Sequence, residues 1–221
     1  MFDHDHEPLS FLTHFLGLIF AIVALILLSI HSAIYGTAID IVGFSVFGAS
    51  LIALYGASSM YHILPKESLW KARLQIVDHS MIFFLIAGTY TPIALIPLRG
   101  PWGWSLFGVV WGIALVGIII KSIAPLRRRV PHALVVVLYA VMGWIAIIAI
   151  VPLIHSLSGI ALKLLFAGGL AYTVGIIFFA LDSRVPRYKW FGMHEIWHLF
   201  VLAGSVCHFI LIYRYLLPTL R

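Results

Sequence analysis

LSFLTHFLGLIFAIVALILLSI, residues 9–30, decides the class of fold: it holds no Asp, Glu, Lys or Arg and no alternation of polar with apolar positions. A helix needs about 20 mainly apolar residues to cross the hydrocarbon core of a bilayer. Backbone groups in lipid must pair within the protein, which leaves helices or a closed barrel. Without alternation the helix is the expected form. Working outward, six more runs of this kind follow, giving expected spans of Leu9 to Ile30, Ala38 to Leu64, Leu74 to Pro97, Trp102 to Ile120, Ala133 to Val151, Gly159 to Leu181 and Phe191 to Leu217. They consume nearly the whole chain, so an all-α, integral membrane bundle of seven transmembrane helices is expected as a single domain, residues 1–221.

Composition points the same way. Hydrophobic residues make up 62% of the chain and charged ones 10%, against roughly 45–50% apolar in soluble domains, and a soluble fold is excluded on that ground. The net charge of +6 lies in short connections, where it faces phospholipid head groups; no nucleic-acid partner is expected. Asp3, Asp5 and Glu7 precede the first run with no Lys or Arg, unlike the n-region of a cleaved signal peptide, so that run is expected to be retained. Cys207, the single cysteine, cannot form an intramolecular disulfide. Pro65, Arg99-Gly100-Pro101, Pro125, Pro131, Pro152 and Pro186 mark joints. Small residues at four-residue spacing, Ser45, Ala49, Ala53 and Ala57 on the second span and Gly108 with Gly112 on the fourth, are expected at close helix contacts. Pro92 is expected to kink the third span.

Loop charge orients the bundle. The side of the N-terminus holds Lys66, Lys71, Arg73, Lys121, Arg127, Arg128, Arg129, Arg184, Arg187 and Lys189, ten in all, and the other side holds Arg99, Lys163, Arg214 and Arg221. The positive-inside bias therefore predicts a cytoplasmic N-terminus and an external C-terminus. Trp70, Trp102, Trp104, Trp190 and Tyr213, near span ends, fit interfacial anchoring.

Ionisable groups in hydrocarbon cost several kcal/mol unless paired, liganded or hydrated. Those at membrane depth are His14, His62, Asp78, His79, His194, Glu195, His198 and His208, with Ser58 beside them. His194 and His198, four residues apart, share one helical face. Such a pair makes a two-point metal clamp and equally serves as a hydrogen-bonded pair across a helix contact. The span directions bring His62, at the end of the second span, to the level of Asp78, His194 and His198, near the starts of the third and seventh. Three neutral imidazoles with a nearby carboxylate match an open zinc site, in which three protein ligands leave a fourth position for water. Asp78 is then placed to act as general base, and Ser58 to orient the water or a polarised carbonyl.

His14 is expected to hydrogen-bond across a helix contact, with a supporting place beside the metal ligands as the alternative, and Glu7 is expected near the same mouth. His79 points about 100° away from Asp78 and is expected to face a neighbouring helix. His208, some 15 Å along the axis from His198, is too far to share its metal, and packing is its expected role. His31, His132 and His155 are expected at the interface, and His4 with His6 as at most a weak metal site.

These residues carry a resemblance. Thr13-His14-Phe15-Leu16-Gly17, Ser58-Ser59-Met60-Tyr61-His62, Asp78-His79 leading to Ile86-Ala87-Gly88-Thr89-Tyr90-Thr91-Pro92, and His194 through His208 resemble the hemolysin III family. That family belongs with the progestin and adipoQ receptors, which include the adiponectin receptors. The resemblance covers essentially the whole chain. It implies His62, His194 and His198 as zinc ligands, with Asp78 and Ser58 as catalytic or supporting groups. Without the long N-terminal region of the eukaryotic receptors in this sequence, hormone recognition is not expected, and the chain's size resembles the bacterial members.

The leading expectation is a multi-pass protein of the cell membrane, of the bacterial inner membrane type, acting as a zinc-dependent hydrolase on an amide or ester lipid. The resemblance adds a link to ceramide hydrolysis. The alternative is a membrane receptor or regulator with a structural zinc site and no turnover. Short loops offer little of the roughly 800 Å² per partner of a standard interface, so membrane lipids are the expected partners and a large soluble protein ligand is not. A proton pathway would require polar residues at membrane depth beyond His208, and few occur there.

Overall fold

Proline and side-chain caps set where the helices begin. The computed structural model describes Glu7 to Leu217, so His4 and His6 lie outside the described residues. Helix α1 (Pro8–Tyr35) and helix α4 (Pro101–Ser122) each start on a proline, whose missing N–H costs nothing in a first turn. Helix α2 (Ala38–Ile63) is opened by Asp40, whose carboxylate accepts from the Thr37 N–H at 2.7 Å and the Thr37 hydroxyl at 2.8 Å. Helix α3 (Lys71–Leu95) ends before a turn through Gly100, whose φ of +131° is in the region that favours glycine. A short α5 (Ala124–Arg129) leads to α6 (His132–Trp144), a 3₁₀ stretch (Ile145–Ala149) and α7 (Ile150–Ser156). The Ser158 hydroxyl accepts from the Ala161 N–H at the start of α8 (Gly159–Leu181). The last helix, α9 (Met193–Leu211), continues through a π turn, Ile212–Leu216.

Seven of these segments are long and apolar enough to cross a membrane, with α6 to α7 counting as one span. The chain is an all-helical, seven-span membrane protein. The spans fall where the apolar runs predict, within several residues at each end. The fifth is the exception: the continuous helix expected over Ala133 to Val151 is interrupted by the 3₁₀ stretch and runs on to Ser156, so Pro152, expected at a joint, lies inside α7. Tyr90 of α3 bridges the interruption, its hydroxyl accepting from the Ala146 N–H at 3.0 Å and donating to the Gly143 carbonyl at 2.9 Å. Backbone groups freed by the break thus keep partners inside the bundle.

Neighbouring helices pack in chain order from α1 to α4 and from α8 to α9; α6 meets α3 and α8, and α1 meets α9, which closes the bundle. Helix α3 is the most buried of the spans and carries Phe83, Ala87 and Ala94 into the core. Pro92 lies within α3. A Cβ on Gly88 would overlap Ser50 Oγ, so glycine allows α2 and α3 their close approach. Polar ties add to this: Tyr55 donates to Ser205 at 2.7 Å between α2 and α9, and the Trp111 indole donates to Thr91 at 3.1 Å between α4 and α3.

Two expectations about small residues are corrected. Around Gly108 and Gly112 a Cβ would meet nothing within 4 Å, so that pair lies on an open surface of α4 and not at a helix contact. On α2 the expectation fails for Ala49, which is exposed, while Ser45, Ala53 and Ala57 are half-buried; Gly43 packs against Pro92 and Gly48 against Leu25. Four-residue spacing defines a face without saying which way it turns.

Candidate metal centre

Helix ends converge at one mouth of the bundle. The start of α1, the end of α2, the start of α3 and the α8–α9 connection meet around Glu7, whose carboxylate lies 2.7 Å from His62 Nδ1, 3.3 Å from Lys71 Nζ and 3.4 Å from an Arg187 nitrogen. Lys71 also donates to the Tyr61 and Leu64 carbonyls at 2.8 and 3.2 Å, satisfying the last turn of α2. Arg187 and Ser10 both donate to the wholly buried Glu195, whose other oxygen accepts from the Gly192 N–H at 2.7 Å and so opens α9. Burial pushes the Glu7 carboxyl up, but the His62 hydrogen bond and the His62, Lys71 and Arg187 charges outweigh it and hold the group well below the usual carboxylate range.

Inside this ring stand His62, His194 and His198, with one ring nitrogen of each within 4.8 Å of the others. It is the one such group of three metal-ligating side chains among the described residues. His62 Nε2 and His194 Nε2 are 3.2 Å apart. Each imidazole is held from behind through Nδ1: His62 by Glu7, His194 by Asp182 at 3.4 Å, and His198 by the Thr13 hydroxyl at 3.0 Å. The His194 hydrogen bond draws the Asp182 carboxyl below its ordinary value against the effect of burial, helped by the His194 and Arg187 charges.

Thr13 also donates to the Leu9 or Ser10 carbonyl, so it accepts from His198 Nδ1–H. This assigns the Nδ1–H tautomer and leaves Nε2 as a lone pair facing inward. The carboxylates assign the same tautomer to His62 and His194. Two lone pairs then face each other at 3.2 Å, a contact that is repulsive alone and attractive around a shared cation.

Ser58 and Asp78, the other two expected site residues, are buried and line a cavity whose wall also includes His194 and His198. Ser58 Oγ makes no hydrogen bond of good geometry, but it lies close enough to the Asp78 carboxyl to interact with it. From this end the cavity passes Leu54, Tyr90, Tyr139 and Trp144 to Tyr172 and His208, about 15 Å further along α9. Gly143, Ile147 and Phe166 line it and are also exposed on the outer surface of the bundle, so it opens sideways between the broken fifth span and α8.

His79 lies as expected against a neighbouring helix, with Nδ1 3.2 Å from Lys121 Nζ. His14 does not. Neither of its buried nitrogens has a hydrogen-bond partner; its ring is stacked on His198 with centroids 3.4 Å apart. His208 packs on Tyr172, but also borders the cavity with Nδ1 unpartnered. Thr13 and Asp182 were not among the expected site residues. Thr13 carries no charge, and Asp182 falls just outside its span, so neither stands out as a costly intramembrane group.

Comparison with known proteins places the chain in a family. The chain is 46% identical to "Hemolysin-3" of Bacillus cereus over 213 residues, covering 96% of this chain and 93% of that protein. It is 43% identical to "Hemolysin-3 homolog" of Bacillus subtilis (strain 168) over 215 residues, 97% of this chain and 96% of that one. It is 29% identical to human "Monocyte to macrophage differentiation factor" over 178 residues, 77% of this chain and 69% of that one. The profile of the family described as Haemolysin-III related matches residues 2–209, which takes in the helix ends that carry the histidine cluster, and on that match the chain belongs to the haemolysin III-related family.

Proposed function

We propose that this chain is a zinc-dependent intramembrane hydrolase of an amide- or ester-linked lipid. The observation that carries the reading is the set of three imidazoles braced at Nδ1 by Glu7, Asp182 and Thr13, with Nε2 of His62 and His194 facing across 3.2 Å. Two nitrogens bound to a tetrahedral zinc stand roughly 3.3–3.4 Å apart, so the donor set fits that ion. Three imidazole nitrogens favour zinc over calcium or magnesium, which take oxygen. Carboxylate partners behind metal-bound histidines fix the tautomer and raise ligand basicity.

When bound here, zinc supplies Lewis acidity toward a carbonyl oxygen and makes water more acidic. The protein's own groups do the rest. Asp78 takes a proton from the attacking water and returns it to the leaving amine or alcohol. The Ser58 hydroxyl, beside Asp78 and held by no bond of good geometry, donates to the carbonyl or the water and orients it. The apolar cavity excludes bulk water and admits an acyl chain through the gap beside Ile147 and Phe166. A lipid then enters from the bilayer without crossing water.

The positive loop bias puts this mouth on the cytoplasmic side, in a cell membrane of the bacterial inner membrane type. Metal analysis of purified protein tests the reading: zinc near one ion per chain is expected, falling to background in H198A. Absence of zinc, or equal zinc in H198A, overturns it. If zinc is present but a replete preparation cleaves neither ceramide-like nor phospholipid substrates, and D78A is silent in cells, the site is structural in a receptor or regulator.

A further inference from the structure

A second polar cluster lies on the same face of the bundle, outside the histidine site. Lys121, in the last turn of α4, is 7% exposed, and one of its three N–H groups points at His79 Nδ1, 3.2 Å away. Arg127 of α5 folds back to donate to the Lys121 carbonyl at 2.9 Å, which brings a second cation beside the first. Arg128 and Arg129 follow, exposed, and the His132 ring centroid lies 6.3 Å from that of His79. No acidic residue occurs in the sequence between Asp78 and Asp182. Among the described residues no carboxylate lies within ion-pair distance of Lys121 or Arg127.

A buried ammonium beside a guanidinium, with Asp78 acting on it only through space and no carboxylate in contact, is a costly arrangement unless an outside anion completes it. Solvent-seeking by long side chains accounts for Arg128 and Arg129; it does not account for Lys121, which is buried. Its position at the end of a membrane span places it at head-group depth, where the abundant anion is lipid phosphate. Arg and Lys are the side chains suited to that group.

We propose that Lys121, Arg127 and His79 form a binding site for the phosphate of an anionic phospholipid. Lys121 supplies point charge from two unspent N–H groups, Arg127 a planar pair of donors, and His79 holds the ammonium in place. His79 also lines the cavity, one residue after Asp78. A lipid held by its phosphate here lies with its acyl linkages beside the cavity. This site is separate from the histidine cluster, and binding to it requires neither metal nor turnover.

The test is lipid retention by the full chain, released from nanodiscs of phosphatidylcholine mixed with phosphatidylglycerol and read by native mass spectrometry. The wild type is expected to retain phosphatidylglycerol selectively, K121Q about tenfold less, and K121R close to wild type. Should K121Q fail to assemble, R127Q carries the same expectation. Equal retention by K121Q and wild type, or by R127Q where that variant is used, overturns the proposal. Displacement of the lipid by inorganic phosphate at matched concentration also overturns it, since the site would then serve a soluble anion. Because the readout is binding, H194A is expected to retain lipid as the wild type does, whatever its hydrolase activity.

Discussion

Glu7 and His62 meet at 2.7 Å between a carboxylate oxygen and Nδ1, a contact that ties the start of the first helix to the end of the second and sets the tautomer of a candidate metal ligand. A residue just outside the first span thereby governs one inside the second. E7Q is expected to weaken zinc binding by about 10–100-fold, measured by competition with a chelator. D182N should lose less, since Asp182 is more open to solvent than Glu7 and its contact is longer, at 3.4 Å.

Acid stability of the metal-free protein should carry the mark of the same carboxylate. The folded-state value of Glu7 is depressed, so its contribution is fully present above the unfolded-state value and is lost as pH falls through the folded one. The gap in melting temperature between wild type and E7Q should stay level from neutrality to about pH 5 and close below about 4.3. A gap that closes already at pH 6 would contradict this.

Arg187 compensates the buried Glu195. R187A leaves that carboxylate without its cation, and a loss of about 3 kcal/mol is expected, the low end for breaking a buried pair because Arg187 is partly open to solvent. The double variant R187A/E195L should recover part of the loss. Thermal unfolding in one detergent compares all three.

Tyr90 serves the broken fifth span through a single oxygen. Y90F leaves the Gly143 carbonyl and the Ala146 N–H without that partner, which should cost about 1–3 kcal/mol. Hydrogen exchange should rise locally over residues 143–149.

In the proposed reaction Asp78 transfers protons and takes no part in holding metal. D78N should therefore keep zinc at the wild-type level while turnover of a scissile lipid falls by about 10²–10⁴-fold. S58A should lie between D78N and wild type. Loss of zinc in D78N would place the aspartate among the ligands instead.

What could be read from the sequence has a physical basis in each instance. The seven spans were legible because lipid demands long apolar runs and every backbone group must pair. His62, His194 and His198 were legible because an imidazole in hydrocarbon needs a reason to be there, and a four-residue spacing puts two of them on one face. The break at Ile145–Ala149 was only partly so: Pro152 withholds the N–H that the Ile148 carbonyl would meet in a continuous helix, but Ile-Ala-Ile-Ile-Ala itself opposes no helix, and a hydroxyl on another span stabilises the break. The orientation of Gly108 and Gly112 was likewise beyond reach, since periodicity marks a stripe and only neighbours give it a direction.

The sequence by itself thus determined the class of fold, the number of crossings and the level at which three histidines gather, all consequences of hydrophobicity and helical rise. Tertiary structure alone decided which nitrogen each histidine turns inward. Glu7 and Thr13 reach their histidines from the start of α1, and Asp182 from the end of α8, and a contact between different helices leaves no periodic trace for the sequence to carry.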